Sequence, residues 1–339
     1  MPTQAQVSRP CPVSYSAAVI TRSVARSDDI ASPVPIRPRV VAVVANYGRS
    51  GIRLTERAVA AVARQEGSFD LDIVVVDDGS GDDVAERLRA AIPAETEVIA
   101  RRTNRGYAAA CNEGVRWAST LNPGYVWLLN NDIDMDSGTL SRLLETLELR
   151  QDWAAAAPAT VDTEGIRVLG AGVALDKMRG RVRHLWVGAD VGSLPTEPYE
   201  VDAIEGSAPL IRMAAMRHVG GLDERYGMYW EDTDWSRRAI QSGWRIGIAP
   251  RAHVRHLVSQ STSTRRRVEF LIVNRVRFVE LTGNRRERLG FRAYFLLGWL
   301  PAYLVFRLMP RQGVVDGWSI AFRAAAAALR PSKLREPRP

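Results

Sequence analysis

The chain of 339 residues is poor in lysine and cysteine and has no long apolar run. Of its 46 basic residues only Lys177 and Lys333 are lysine, so nearly all its positive charge is guanidinium. Two cysteines, Cys11 and Cys111, exclude a disulfide framework, and neither has a metal-type spacing. That usage fits a reducing compartment. A membrane-spanning helix needs ~20 consecutive apolar residues. The longest candidate, Ala293–Phe306, offers 14 and contains Pro301. The N-terminus lacks the charged and then apolar pattern of a signal peptide. No helix-turn-helix, zinc-finger or RNP pattern accompanies the basic charge, so nucleic acid is not an expected partner. No internal repeat is visible.

What is present is ordinary in bulk, 46% hydrophobic and 25% charged, and large enough for one big domain or two. The net charge of +8 hides an asymmetry. Residues 251–339 hold 18 Lys+Arg against 5 Asp+Glu, whereas residues 1–250 hold 28 against 33. An acidic body with a basic end predicts two surfaces with two tasks. Anionic lipid or an anionic lipid-linked substrate suits the basic end; a solvated basic face is the plainer alternative. Residues 1–39, rich in Pro, Ser and Arg without periodicity, read as a disordered lead-in.

Between 40 and 150 apolar runs alternate with helical periods. Strands are predicted over Val40–Ala45, Leu71–Val76, Thr96–Ala100 and Tyr125–Leu129, and helices over roughly 52–65, 81–91, 106–119 and 137–149. The alternation predicts βαβ units and a mostly parallel sheet. Shorter pieces (Ala154–Val161, Arg167–Val173, Val182–Val187), split by Gly and Pro, predict a mixed extension of that sheet. A strand then runs into a short helix stopped at Gly220-Gly221. A helix follows over Glu231–Ser242 and a strand over Trp244–Ala249, ahead of Pro250. Beyond 263 the chain is helical and basic. Its apolar part is flanked by Arg285, Arg286, Arg288 and Arg292 and by Arg307 and Arg311, the pattern of an interfacial helix; a core helix of a helical subdomain is the alternative. Trp318–Leu329 reads as a second surface helix.

Three acidic clusters carry the functional signal. VVVDDGSGDD ends a β-branched run at Asp77 and Asp78, and VWLLNNDIDMD ends another at Asn130, Asn131, Asp132 and Asp134. Open α/β sheets place their ligand crevice at such strand ends. Carboxylates gathered there repel one another unless a cation or proton joins them. Asp77 is suited to accept hydrogen bonds from a base or ribose; capping of the next helix is the alternative, with Ser80 and Asp82 as rival caps. Asp132 is placed to hold a hard cation such as Mg²⁺ or Mn²⁺, whose shell phosphate and water complete, and Asp134 to act directly or through water. A polar turn is the plain reading of that segment. In the third cluster, YGMYWEDTDW, Glu231 and Asp232 are the candidates for a general base. Acids complementing a helix dipole are the alternative there. His256, ending PRAHVRH, is a candidate third metal ligand.

These segments have a familiar order. VVANYG (43–48), VVVDDGSGDD (74–83), NRGYAAACNEG (104–114), WLLNNDID (127–134), GGLDERYGMYWEDTDWSRRAIQSGWRI (220–246) and PRAHVRH (250–256) resemble the family 2 glycosyltransferases with the GT-A fold, particularly bacterial rhamnosyltransferase-like members. The resemblance covers roughly residues 40–280. It implies a Rossmann-like α/β fold with a mostly parallel mixed sheet flanked by helices, and a C-terminal helical extension that is a candidate for membrane association. The catalytic domain would span 40–262, with a nucleotide half (40–135) and an acceptor half (136–262), followed by a basic helical region over 263–339.

The resemblance also implies roles. Asn46, Asp77, Asp78, Arg105, Gly106 and Asn131 would lie at the donor, a nucleotide-diphosphate sugar. Asp132, with Asp134 and His256, would hold Mg²⁺ or Mn²⁺. Asp232 resembles the catalytic base, with Glu231 beside it, and Trp230, Asp234 and Trp235 would face the acceptor. The activity implied is an inverting, metal-dependent transfer of rhamnose, galactose or a related hexose to a cell-envelope glycan or polyprenyl-linked acceptor. The expected place is the cytoplasmic face of the cell membrane, with peripheral contact through residues 285–330; self-association stays open. Three departures stand out. The metal triplet is Asn-Asn-Asp, Gly48 replaces the usual Asn of the first motif, and Val273-Asn274 replaces an Arg-Asn pair. Rival readings are a nucleotidyltransferase, for which Asn46-Tyr47-Gly48-Arg49 is a poor phosphate loop, and a non-catalytic sugar-nucleotide-binding scaffold.

Overall fold

The computed structural model describes residues 37–257, 264–299 and 301. Most of the N-terminal lead-in with Cys11, the 258–263 boundary, most of the basic C-terminal stretch and the helix expected over Trp318–Leu329 lie outside the described residues.

The first part alternates as the periodicity predicts: β1 (Arg39–Asn46), α1 (Ile52–Ala63), β2 (Asp70–Asp77), α2 (Asp82–Ala91), β3 (Glu97–Ala100), α3 (Tyr107–Thr120), β4 (Tyr125–Leu129), β5 (Ile133–Met135) and α4 (Thr139–Leu149). There follow β6 (Trp153–Val161), β7 (Val168–Gly170), β8 (Val173–Asp176), β9 (Arg181–His184), β10 (Tyr199–Glu200), β11 (Leu210–Arg212), α5 (Met213–Val219), α6 (Glu231–Gln241), β12 (Arg245–His256), α7 (Thr264–Thr282) and α8 (Arg285–Tyr294). The main sheet has the order β10-β12-β6-β11-β4-β1-β2-β3, with β5 on β12 and β7 on β6; β8 and β9 form a separate hairpin. Strands β1, β2, β3 and β4 are parallel, whereas β11 runs antiparallel between β4 and β6. One sheet therefore runs through both expected halves of the catalytic domain.

Both faces of the sheet are covered, which is why its central strands are continuously apolar. Side chains alternate across a strand. Val40, Ala42 and Val44 of β1 thus join a core with Val59 and Val62 of α1 and Leu140, Leu143 and Leu147 of α4. Val41 and Val43 join the opposite core with Ala110 of α3, Met216 of α5 and Trp235 of α6. Each such fully buried Val or Leu contributes roughly 1.5–3 kcal/mol relative to exposure. Helix α3 lies close on β1 because Gly114 has no side chain; a Cβ there would sit 2.2 Å from Val43 Cγ1. A third cluster, with Tyr226, Trp230, Phe278, Val279 and Phe291, fastens α7 and α8 onto the loop before α6. The described helices α7 and α8 thus pack against the rest of the described chain; most of the apolar segment 293–306 lies outside the described residues. Among the described residues no helix is long and apolar enough to cross a membrane.

One local expectation is corrected, and one strand was not expected. The last strand does not stop at Pro250: β12 continues to His256 through a register shift between Ala249 and His253. That irregularity accommodates a proline, which cannot donate to the ladder. The short β5 does not interrupt the apolar pattern enough to be seen in the sequence. It exists because the far end of β12 pairs with it, His256 opposite Ile133 and Arg255 opposite Asp134.

Candidate active site

Register places the first cluster. Asn46 and Asp77 are opposite one another at the parallel ends of β1 and β2. Asn46 Nδ2 donates to Asp77 Oδ1 at 2.7 Å, and Thr55 Oγ1 donates to Asn46 Oδ1 at 2.9 Å. Ser80 bonds both Asp77 oxygens, through its hydroxyl (2.6 Å) and its backbone N–H (3.0 Å), and its hydroxyl accepts from Gly48 N at 2.6 Å. Asn131 Nδ2 donates to Thr55 Oγ1 at 3.1 Å. Asn46 and Asp77 are each 1% exposed. They are struts that shape the crevice wall, with their hydrogen bonds spent inside the protein.

Asp78 organises the next loop. It accepts from Arg101 Nη1 at 2.6 Å, from Arg105 N at 3.2 Å and from Gly106 N at 2.7 Å. Burial pushes its carboxyl above the usual range, against the lowering effect of these donors and Arg101. Gly106 sits at φ 92°, and a Cβ there would meet Gly227 O at 2.5 Å. Only glycine permits that approach. It seats the start of α3 against the loop that leads to α6, and Arg105 reinforces the contact through Glu224 at 2.7 Å.

The second cluster divides. His256 Nε2 lies 3.5 Å from Asp132 Oδ1, and Leu257 N donates to Asp132 O at 2.8 Å. The β5–β12 pairing holds this pair together. Asp134 turns elsewhere, accepting from Met135 N at 2.9 Å and lying 3.6 Å from Nη2 of Arg64, the residue that ends α1. Among the described residues no three His, Cys, Asp or Glu side chains converge as a metal cage. The three-ligand set expected from the sequence is thus reduced to two that approach each other. One carboxylate plus one imidazole fits a divalent cation that takes its other ligands from diphosphate and water.

The third cluster opens α6 on a strained lead-in. Tyr229 and Trp230 have φ 67° and 79°, values rare for bulky residues. Such outliers persist where surrounding contacts impose them, and they gather at functional sites. Asn274 of α7 imposes them here. It is fully buried, and its amide donates to the carbonyls of Tyr226 (2.9 Å), Met228 (2.8 Å) and Tyr229 (2.9 Å). Asn274 Oδ1 in turn accepts from Arg277 at 2.9 Å. The sequence marked Asn274 only through the pair Val273-Asn274 and gave no sign of this role.

Asp232 is part-buried and well supplied with donors. Gly206 N bonds Oδ2 at 2.9 Å, and Thr233 bonds Oδ1 through its N–H (2.6 Å) and hydroxyl (3.2 Å). Burial nevertheless raises its carboxyl above the ordinary value. Glu231 is 5% exposed and its Oε2 has no hydrogen-bond partner. Burial, then the charges of Asp232 and Asp234, push it well above the carboxylate range. A group whose folded pKa is raised makes the native state lose stability as pH climbs above the unfolded value, about 4.3, toward the folded one. Glu231→Gln removes that loss. The melting temperature of the variant minus that of the wild type is expected to grow between pH 5 and pH 8; a pH-independent difference contradicts a protonated Glu231.

The acceptor assignments need correction. Trp235 is 1% exposed in the core and its indole donates to Gly220 O at 2.9 Å. Asp234 is also 1% exposed, bonded by Tyr226 (3.0 Å) and Arg238 (2.7 Å). Trp230 is 6% exposed and packs on Phe278 with ring centroids 5.1 Å apart. On α6 Asp234 and Trp235 turn inward, and Trp230, just before the helix, packs on Phe278, so the three face the protein interior.

The segment Glu205–Ser207 joins the clusters. Asn130 N donates to Ser207 O at 2.9 Å, Tyr107 hydroxyl donates to Gly206 O at 3.0 Å, and Gly206 N reaches Asp232. This strap therefore ties Asn130, two residues before Asp132, to Asp232. Residues 41–167 match the family model described as Glycosyl transferase family 2. The chain carries a family 2 glycosyl transferase domain. It is a glycosyltransferase of the nucleotide-sugar-dependent kind, similar over 211 residues, at 27% identity, to the N-acetylglucosaminyl-diphospho-decaprenol L-rhamnosyltransferase of Mycobacterium tuberculosis (strain CDC 1551 / Oshkosh). That match covers 57% of this chain and 68% of the relative. Among solved structures, GalNAc-T7 with UDP, GalNAc and Mn2+ superposes with a TM-score of 0.58 at 16% identity, over 86% of this chain and 55% of that one. The mannosyltransferase PcManGT from Pyrobaculum calidifontis, in complex with GDP-Man and Mn2+, gives 0.53 at 17% identity, over 88% and 83%. This chain thus spans little more than half the length of the GalNAc-T7 chain. Both likenesses support the GT-A-like fold of the glycosyltransferase.

Proposed function

We propose that this glycosyltransferase moves a hexose, rhamnose or galactose among the candidates, from a nucleotide diphosphate to an acceptor hydroxyl in one inverting displacement. The observation that carries the reading is the segment Glu205–Ser207, bonded on one side to Asn130, two residues before Asp132, and on the other to Asp232, so that a candidate diphosphate end and a candidate base share one support. Asn46, Asp77, Asn131 and Thr55 shape the nucleotide wall, while Asp78 and Gly106 fix the loop at its mouth. Asp132 and His256 would hold Mg²⁺ or Mn²⁺, which when bound supplies positive charge against the leaving diphosphate. Asp232 accepts the proton of the acceptor hydroxyl as that oxygen attacks. One base suffices for a single displacement, whereas a retaining route needs a second, nucleophilic carboxylate.

For the acceptor we propose a cell-envelope glycan or polyprenyl-diphosphate-linked sugar, used at the cytoplasmic face of the membrane. The rhamnosyltransferase relative and the basic C-terminal region favour it. Exposed Leu289, Leu296 and Leu297, alongside exposed Arg285, Arg286 and Arg292, suit contact with an anionic bilayer.

Thermal unfolding tests the donor site, because ligands of the native state raise its melting temperature by mass action. Among UDP, dTDP and GDP, one is expected to stabilise the protein in the presence of Mn²⁺ and much less without it. Asp132→Asn is expected to remove the metal-dependent part. Equal shifts with and without metal would move the diphosphate away from Asp132.

A further inference from the structure

A half-buried carboxylate lies one residue from the glycine that bonds the base and belongs to none of the motifs. Glu205 precedes Gly206, the residue whose N–H bonds Asp232. Its side chain is 17% exposed and is held from two sides. His184 Nδ1 is 2.6 Å from Oε1, and Thr160 Oγ1 donates to Oε2 at 3.1 Å. Thr160 also shares a 3.1 Å contact with Ser207 Oγ of the strap. The space for Glu205 exists because residue 170 is glycine; a Cβ there would fall 1.9 Å from Oε1. Burying a carboxylate is unfavourable unless its oxygens are bonded. Here the bonds come from a strand end (β6) and from a hairpin (β9), and the space from the omission of a side chain, all converging one residue before the glycine that bonds the base.

His184 is the outward member of the pair. Its side chain is 52% exposed, and Nε2 makes no hydrogen bond among the described residues. The bond from Glu205, its charge and that of Asp232 favour the protonated imidazole, against burial. With Nδ1 committed to Glu205, Nε2 is left as a donor directed to a ligand or water. Two residues on, Trp186 is 39% exposed and held at φ 63°, a third strained aromatic position after Tyr229 and Trp230.

We propose that His184, positioned by Glu205, forms a subsite for a hydroxyl of the acceptor sugar beside Asp232. This rests on the glycosyltransferase reading above and adds the residues that orient the acceptor. The chemistry fits. Asp232 takes the proton from one hydroxyl, and a ring carrying that hydroxyl presents others close by. A fixed donor at His184 selects the ring orientation that brings the reacting oxygen to the base. The sequence holds no hint of it, because His184 and Glu205 lie 21 positions apart in a region without a motif.

The test uses the full-length protein with Mg²⁺ and the nucleotide that stabilises it. Saturation-transfer NMR is read with methyl glycosides of N-acetylglucosamine, rhamnose, galactose and mannose. The wild type is expected to transfer saturation to at least one glycoside. His184→Ala is expected to reduce that signal roughly fivefold or more, and His184→Gln, which keeps a donor, to restore part of it. Nucleotide-induced stabilisation is expected to persist in both variants. Wild-type protein that saturates none of the glycosides, or a His184→Ala signal equal to wild type, overturns the subsite. So does loss of nucleotide stabilisation in His184→Ala, which would make the histidine structural. Absence of nucleotide stabilisation in the wild type is a separate result, and it counts against the donor site instead.

Discussion

Asp232→Asn lowers sugar transfer by about 10³-fold, the scale of a lost general base, or roughly 4 kcal/mol in the barrier. The variant keeps the shape of the side chain but only one acceptor oxygen, so either Gly206 N or the Thr233 donors lose their partner, a cost of about 1–3 kcal/mol that leaves the fold in place. Its metal-dependent stabilisation by nucleotide stays at the wild-type level, because the donor end of the strap is untouched. Kinetics of the purified variant beside its thermal shift check both halves of the claim. Full turnover in Asp232→Asn assigns the base elsewhere. A pH–rate profile adds a second check. Burial raises the Asp232 carboxyl, and the base must be unprotonated to act, so the acid limb of the wild-type profile falls above the ordinary aspartate range.

Asn274→Ala has the second largest expected effect, and it falls on stability first. Its amide serves three carbonyls of the loop before α6, and Arg277 donates to its oxygen. Alanine leaves those groups buried without their partner, at about 3 kcal/mol in total. For a chain of this size that corresponds to a melting temperature lower by roughly 4–6 °C. The strained conformations of Tyr229 and Trp230 lose what imposes them, so Asp232 shifts and transfer falls as well, even at temperatures where the variant is folded. A melting temperature within a degree of wild type would show that the loop holds itself. The comparison is informative because Asn274 touches neither end of the strap: its effect travels through backbone geometry alone.

The outer frame of this molecule was legible because its signals are local. Runs such as Val40–Ala45 and Tyr125–Leu129 are continuously apolar, as strands covered on both faces must be, and the helices between them carry clear periods. The three acidic clusters were legible for the same reason, each being a short stretch at an element end. What escaped depends on pairing between distant segments. Strand β5 has three residues and exists through β12; Pro250 looked like a stop, yet the strand absorbs it by shifting register. The inward turn of Asp234 and Trp235 follows from their positions on α6 against the core, which composition beside a catalytic motif does not reveal. Asp134 illustrates the same limit. It lies two residues from Asp132, but its partner is Arg64, brought in by α1. Glu205, His184 and Asn274 matter through contacts spanning 21 to 48 positions, and no spacing rule announces them.

The most direct test is turnover itself. Purified protein with Mn²⁺ is offered a panel of UDP-, dTDP- and GDP-hexoses together with an N-acetylglucosaminyl-diphosphoryl lipid analogue. Release of nucleoside diphosphate is followed, and the anomeric configuration of the new linkage is read by NMR. The expected result is release from one donor class, dependent on metal, abolished in Asp232→Asn, with the configuration inverted at the anomeric carbon. Folded protein that consumes none of the donors, or a product of retained configuration, would contradict a single displacement driven by Asp232.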